Sequence, residues 1–272
     1  MAPFWSLLLH YMHVQVGRAD SFPAPTPPMG WRSWNFFKGN INDKIMRAQA
    51  DALTRKRNGV SLLDLGYNRA GMDDGWQQCD SYRVFPSNSS AFHDATGRPI
   101  VNRSKFPDLA ALSAYIKSKG LLPGFYINNC ICHESGGHIH NITWRQLTYH
   151  GDVMQLVNDG FSGVKIDDCG LHNDMNEYAR LIAATGRTFM VERADQGHGT
   201  PTNLTWCPYS MFRSSHDIYP SWGSIWRNLH TVLKYTNISR PDCWAYPDML
   251  QVGTSREPGR GVLCASARER GG

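Results

Sequence analysis

The residue types that can make or break a bond are concentrated in four short stretches. In Gly163-Val-Lys-Ile-Asp-Asp-Cys-Gly170 an apolar run ends in charge. Alternate residues of a strand face the same way, so Lys165 and Asp167 share a side. An ammonium beside a carboxylate keeps it ionised, as a nucleophile must be. A structural ion pair closing a barrel is the competing reading, and Asp168, facing the other way, takes a structural part. In Met211-Phe-Arg-Ser-Ser-His-Asp-Ile218, Asp217 follows Arg213 by four residues. Two carboxylates flanking a glycosidic bond hydrolyse it: one attacks or activates water and the other protonates the leaving oxygen. Asp217 has a competing reading as the N-cap of a helix through Trp222 to Leu229. Asp73-Asp74-Gly75-Trp76 sets paired acceptors beside an indole, which suits sugar hydroxyls and the C–H face of a sugar ring. A calcium or magnesium ligand pair competes, without a third nearby carboxylate in an oxygen-ligand loop. Asp248, in Ala245-Tyr-Pro-Asp-Met-Leu250, repeats the theme, with a turn aspartate after proline as its alternative.

These residues need a scaffold that brings distant stretches together. Seven strands are expected, at Met29–Trp34, Asn68–Met72, Leu122–Ile127, Gly163–Asp167, Thr188–Glu192, Met211–Ser214 and Cys243–Tyr246. Helix signals lie between them. Met46, Ala50 and Leu53 share a face after Asp43; Leu109, Leu112 and Ile116 share one between Pro107 in a first turn and Gly120. A further helix over Asn176–Thr185 turns Leu181 and Ile182 inward and stops at Gly186. Strands alternating with helices make a parallel sheet, either open and doubly wound or closed as a (β/α)8 TIM-type barrel. Trp34, Asp73, Asp74, Tyr126, Asp167, Glu192, Asp217 and Asp248 fall at or just beyond the C-terminal ends of successive strands. A barrel assembles its site from many strand ends, so the barrel is the expected fold. No glycine-rich phosphate loop follows any strand, which removes the nucleotide readings.

Composition limits the partners. The 272 residues are 41% hydrophobic and 19% charged, enough for an ordered core. The last 19 residues contribute +2 of the net charge of +5, through Arg256, Arg260, Arg268 and Arg270 against Glu257 and Glu269, and the remaining cations form no basic stripe, so nucleic acid is not an expected partner. No apolar run approaches the roughly 18 residues of a bilayer helix. The seven cysteines show no metal-site spacing, so no zinc site is expected. Five N-x-S/T sequons, at Asn88, Asn102, Asn141, Asn203 and Asn237, point to the secretory pathway. Residues 1–22 are read as an open case for a leader: Phe4–Leu9 is apolar, but a basic n-region is missing and His10 and His13 interrupt the core.

The ordered motifs carry a family resemblance. Pro27-Pro-Met-Gly-Trp-Arg-Ser-Trp-Asn35, Met72-Asp-Asp-Gly-Trp76, Phe106-Pro-Asp-Leu with Lys119-Gly-Leu-Leu-Pro-Gly-Phe-Tyr126, Lys165-Ile-Asp-Asp-Cys169, Arg213-Ser-Ser-His-Asp217 and Tyr246-Pro-Asp-Met-Leu250 resemble glycoside hydrolase family 27. That family holds the eukaryotic α-galactosidases and α-N-acetylgalactosaminidases. The resemblance implies a retaining exo-glycosidase acting on terminal α-galactosyl groups of oligosaccharides, glycolipids or glycoproteins, with Asp167 as nucleophile and Asp217 as acid/base, about 5–5.5 Å apart. Asp73 and Asp74 would hold the 6- and 4-hydroxyls, Lys165 the O3/O4 side and Arg213 the 2-hydroxyl. Trp34, Tyr126, Asp248 and Met249 would wall the subsite. No metal or organic cofactor is implied. The implied location is secreted, lysosomal or vacuolar, and a homodimer is left open. Cys169 would bridge to Cys130 or Cys132.

The departures from the family pattern carry expectations of their own. Ala194 stands at the position of a family cysteine and Asp195 at the next, which leaves Cys207 without its usual partner unless Cys243 takes it; Glu192 enters under a shifted alignment. A small residue there leaves room for an acetamido group, so α-N-acetylgalactosaminidase is the alternative specificity. Gly75 replaces a frequent cysteine, so one bridge is expected to be absent; His216 is expected to crowd or protonate near the leaving-group site, with a side chain pointing to solvent as the alternative. Residues 23–253 are read as the barrel domain, and 254–272 as an irregular Gly/Arg-rich tail. An eighth strand and a C-terminal β-sandwich are expected to be missing, which makes an inactive truncated sugar-binding fragment the second reading.

Overall fold

The computed structural model describes residues 23–79, 92–132, 134–135, 137–170 and 172–251. Its strands are β1 (Gly30–Arg32), β2 (Arg69–Gly71), β3 (Leu122–Ile127), β4 (Gly163–Asp167), β5 (Met190–Ala194), β6 (Met211–Arg213) and β7 (Trp244–Tyr246). All six pairings are parallel and follow chain order, so the sheet curls as a TIM-type barrel wall with β1 and β7 as its edges. Among the described residues there is no eighth strand. The two edges are nevertheless tied at both ends. The Asp242 N–H donates to Ala24 O (3.0 Å) and the Trp244 indole N–H to the same oxygen (2.7 Å) below; Gln251 donates to Asn35 O (3.4 Å) above.

Helices α1 (Trp34–Phe37), α2 (Asp43–Thr54), α3 (Leu109–Ser118), α4 (Ile142–Asn158), α5 (Met175–Ala184) and α6 (Trp222–Thr231) run between the strands. Met46, Ala50 and Leu53 of α2 are buried, as their spacing requires. Side-chain caps set the starts. Asp108 accepts from Ala111 N, so α3 begins after Pro107 and leaves the proline outside its first turn. Asp174 caps α5, where Ile182 is buried and Leu181 is only partly so. Ser221, not Asp217, caps α6. Asn141 caps α4 by accepting from Trp144 N (3.0 Å).

Two elements depart from the sequence reading. Strand β5 runs two residues later than expected, because Glu192 and Arg193 are buried, the first paired across the barrel with Arg32 and Tyr246 and the second with Asn173 O and Asp195. The 17-residue α4 has no counterpart in the sequence reading. Its inner face carries Thr148, Gly151 and Asp152 among the apolar residues, which dilutes the helical period. Gly151 is required there, since a Cβ would stand 1.8 Å from Gly97 O.

Three disulfides fix the loops: Cys130–Cys169 joins those after β3 and β4, Cys79–Cys132 those after β2 and β3, and Cys207–Cys243 the approaches to β6 and β7. Cys207 is therefore paired. Position 75 carries no bridge, and the loop after β2 is tied through Cys79 four residues on. Gly75 itself, at φ 109°, lies where a Cβ would come 2.6 Å from Gly39 O. The Lys105 ammonium donates to Gly39 O and Gly75 O (2.9 and 3.0 Å) and clasps the two loops. Of the sequons, Asn141, Asn203 and Asn237 are exposed and Asn102 is half-buried; Asn88, residues 1–22 and 254–272 lie outside the described residues. Asn102 and Asn203, like Asn141, accept N–H groups two or three residues ahead through Oδ1.

Beside the β3 and β4 loops lies a buried polar cluster. The His93 ring sits between Glu134 Oε1 (2.8 Å) and Asp152 Oδ1 (3.1 Å), and the Tyr178 hydroxyl donates to the other Asp152 oxygen (2.8 Å). Burial disfavours the imidazolium of His93, but the two carboxylates outweigh it and hold the pKa up at about 9. His172, whose ring centre is 5.4 Å away, is desolvated and faces that cation, which drives its pKa down to about 4. The two act on opposite sides of neutrality. His93 stabilises the fold fully below the unfolded value of about 6.5, and that contribution disappears as pH rises towards 9. His172 stabilises above about 6.5 and loses its contribution as pH falls towards 4. Thermal unfolding measured across pH is expected to peak near neutrality, and His93→Gln to flatten the alkaline decline; an unchanged alkaline slope would rule out His93 as its source.

Candidate active site

The inner face of β4 places Lys165 and Asp167 two residues apart at the barrel mouth, as alternation requires. The Lys165 ammonium stands 2.9 Å from Asp73 Oδ2 and 3.5 Å from Asp167 Oδ2, with the Tyr126 ring centre 5.0 Å away. Asp167 also accepts from the Tyr126 hydroxyl (2.7 Å) and from Asp168 N (2.9 Å). Burial alone would push its carboxyl up; Lys165, the phenol, the N–H and Arg213 outweigh that and hold it below the usual carboxylate range. Lys165 is itself desolvated, but Asp73 and Asp167 keep it charged.

Strand β6 supplies Arg213, whose guanidinium donates to Asp217 Oδ1 (2.7 Å) and to Ala194 O (3.0 Å) and lies 3.7 Å from Asp248 Oδ2. Asp248 sits at φ 75°, an unusual conformation for a residue other than glycine, and is held there by accepting from Ile218 N (2.8 Å) and Met249 N (2.6 Å). Asn128 after β3 (φ 62°) and Gln196 after β5 (φ 37°) share this left-handed geometry. Asn128 spans the next loop, donating to Asp167 O and accepting from His172 N (3.2 Å). The Asp217 side chain is 54% exposed, on the rim.

An open cleft of about 470 Å³ is bounded by Trp34, Asp73, Lys165, Glu192, Arg213, Asp217, Asp248 and Met249. Asp167 and Tyr126 adjoin it through Lys165. Asp74 does not line it. Its oxygens are taken up by Gly75 N, the Gln77 amide, Cys130 N and Ile131 N, so it binds the β2 loop to the β3 loop. Asp195 is also absent from the cleft wall, paired with Arg193 and set against Asp168, whose pKa burial and Asp195 push up to about 6. Ala194 is buried. His216 is exposed and bonds to Gln196 Oε1 (3.0 Å).

Sequence reasoning misses Arg32, which lines the cleft from β1. Its guanidinium pairs with Glu192 across the barrel, donates to Met72 O (3.1 Å) and approaches Asp73 (3.9 Å), while the Tyr246 hydroxyl donates to the other Glu192 oxygen. The signal was its place two residues after Gly30, on the inward face of a short strand. Asn35, Lys38 and Tyr219 also line the cleft from loops or a short helix that carry no periodic signal.

A parallel barrel wall with a carboxylate-rich mouth is the architecture of many glycoside hydrolases. Residues 26–257 match the family model described as alpha galactosidase A, and the chain belongs to that family, glycoside hydrolase family 27. It is 29% identical over 241 residues to an alpha-galactosidase of Oryza sativa subsp. japonica, covering 84% of this chain and 51% of the rice protein. It is 28% identical over 255 residues to one of Cyamopsis tetragonoloba, covering 89% and 56%. The chain thus spans about half the length of these curated relatives. Among solved structures, alpha-galactosidase I of Mortierella vinacea shares the fold with a TM-score of 0.68 at 21% identity, over 86% of this chain and 62% of that one.

The charge balance at β4 is open to measurement. In Lys165→Met the Asp167 carboxyl loses its nearest cation and is expected to titrate at higher pH than in wild type by carboxyl-resolved NMR; an unchanged value would remove Lys165 as the cause.

Proposed function

We propose that the chain carries the catalytic barrel of a retaining α-galactosidase. The observation that supports this reading best is the ammonium of Lys165 between Asp73 and Asp167 at the mouth of a family 27 barrel. Lys165 holds the buried Asp167 carboxylate ionised, and the Asp217 carboxyl stands exposed on the rim of the cleft. In this mechanism an Asp167 oxygen attacks the anomeric carbon while the bond to the leaving oxygen breaks and that oxygen takes the Asp217 proton. Water then attacks the same carbon, gives its proton to Asp217 and releases the sugar from Asp167.

Asp73, Lys165, Arg213 and Asp248 surround the space with charged donors and acceptors for sugar hydroxyls, and Trp34 offers an apolar face. Three disulfides fit a chain matured in an oxidising compartment, which supports a secreted, lysosomal or vacuolar location. No helix among the described residues is long and apolar enough to cross a membrane.

Wild type is expected to hydrolyse an aryl α-galactoside and to release the α-anomer of galactose first, as followed by proton NMR. Asp167→Asn should reduce turnover to background, and Asp217→Asn should lower it by roughly 10²–10⁴ on poor leaving groups. First release of the β-anomer, or equal turnover by Asp167→Asn, would overturn the assignment.

A further inference from the structure

The cleft has an aromatic continuation that the hydrolytic chemistry leaves unused. Tyr219 lines the cleft and is 60% exposed. Three residues later α6 opens with Trp222, 74% exposed, and Trp226 follows one turn on at 51%. The two indoles lie nearly parallel, inclined by 25° with centres 6.1 Å apart. The turn carrying Tyr219 is pinned to this helix: Tyr219 N donates to Ser224 Oγ (2.9 Å), and Ser221 N donates to Tyr219 O (2.7 Å).

Helix α6 wears its polarity inside out. Its buried residues are Ser224 and Asn228, and the Asn228 amide donates to His216 O (2.8 Å), so the inward polar groups hold the segment that carries Asp217. The indoles are left facing solvent. A contiguous exposed apolar patch marks an interaction surface, and flat aromatic faces take the C–H faces of sugar rings.

The direction of the reaction decides what reaches this surface. The group that protonates the leaving oxygen stands on the leaving-group side, and Asp217 precedes Tyr219 by two residues on the same rim. We propose that Tyr219, Trp222 and Trp226 form a platform for the sugar residues beyond the scissile bond, so that the chain takes galactosyl branches from a polysaccharide backbone in preference to small galactosides. This rests on the α-galactosidase reading of the cleft. Leu229 and Leu233, also exposed, extend the apolar face of α6, so a second copy of the chain is the rival occupant.

Electrophoresis through gels containing galactomannan tests the platform without requiring turnover. Wild type is expected to be retarded. Trp222→Ala combined with Trp226→Ala should weaken the retardation at least fivefold, and the corresponding double Phe variant should keep most of it. On the same samples, the ratio of kcat/KM for galactomannan to that for an aryl α-galactoside should fall at least tenfold in the Ala variant and much less in the Phe variant. Retardation absent in wild type, or equal in wild type and the Ala variant, would overturn the platform. So would a dimer seen by sedimentation in wild type and lost in the Ala variant while retardation is unchanged, since the face would then belong to self-association. Tryptophan-dependent retardation by a chain that fails to hydrolyse the aryl galactoside would support the platform and reject the reading of the cleft.

Discussion

One ammonium organises the mouth of this barrel. Lys165 leaves β4 into a space that is nearly dry, and a lone cation there would be costly. Asp73 from β2 and Asp167 from its own strand compensate it, and each carboxylate is in turn held by neighbours: Asp73 by the N–H of Asp74, Asp167 by Tyr126 and the N–H of Asp168. The strand order β2–β3–β4 is what allows this, since Asp73 and Lys165 are separated by 92 residues in sequence and by one strand in the sheet. Removing the ammonium would leave two buried carboxylates without the cation they share, the more damaging way to disturb such a cluster.

The same logic recurs around the barrel. Arg32 and Glu192 face each other from β1 and β5, with Tyr246 from β7 completing the acceptors of the carboxylate. Arg193 holds Asp195 on the far side of the same strand. Alternation along β5 therefore sorts two ion pairs, one to the cleft and one away from it, and only the inner one bears on a ligand.

Legibility in the sequence follows from the range of the determining contacts. Period, capping residues and apolar runs are local, so the strands and the helices α2, α3 and α5 can be read from the order of the residues. Lys165 and Asp167 are legible for the same reason, because two residues of one strand share a face whatever else happens. Asp74 is not, since its neighbour Asp73 looks identical in sequence and only the fold shows that loop N–H groups saturate one and a cation claims the other. Arg32 and Tyr246 escape because strand alternation marks at most the side they face, while their partner Glu192 is 160 and 54 residues distant. Helix α4 escapes because its buried polar residues serve the His93 cluster and break the apolar rhythm.

The asparagine that opens α4 has a further consequence. Exposed Asn141 gives its side-chain carbonyl oxygen to the helix, and the cap makes no use of the amide nitrogen, the atom to which an N-linked glycan attaches. Capping and glycan attachment thus make compatible demands on one side chain. Enzymatic removal of such a glycan with conversion to aspartate would preserve the capping oxygen and add a negative charge where the helix dipole favours it. A sugar coat could therefore be trimmed from this helix without unfastening its first turn.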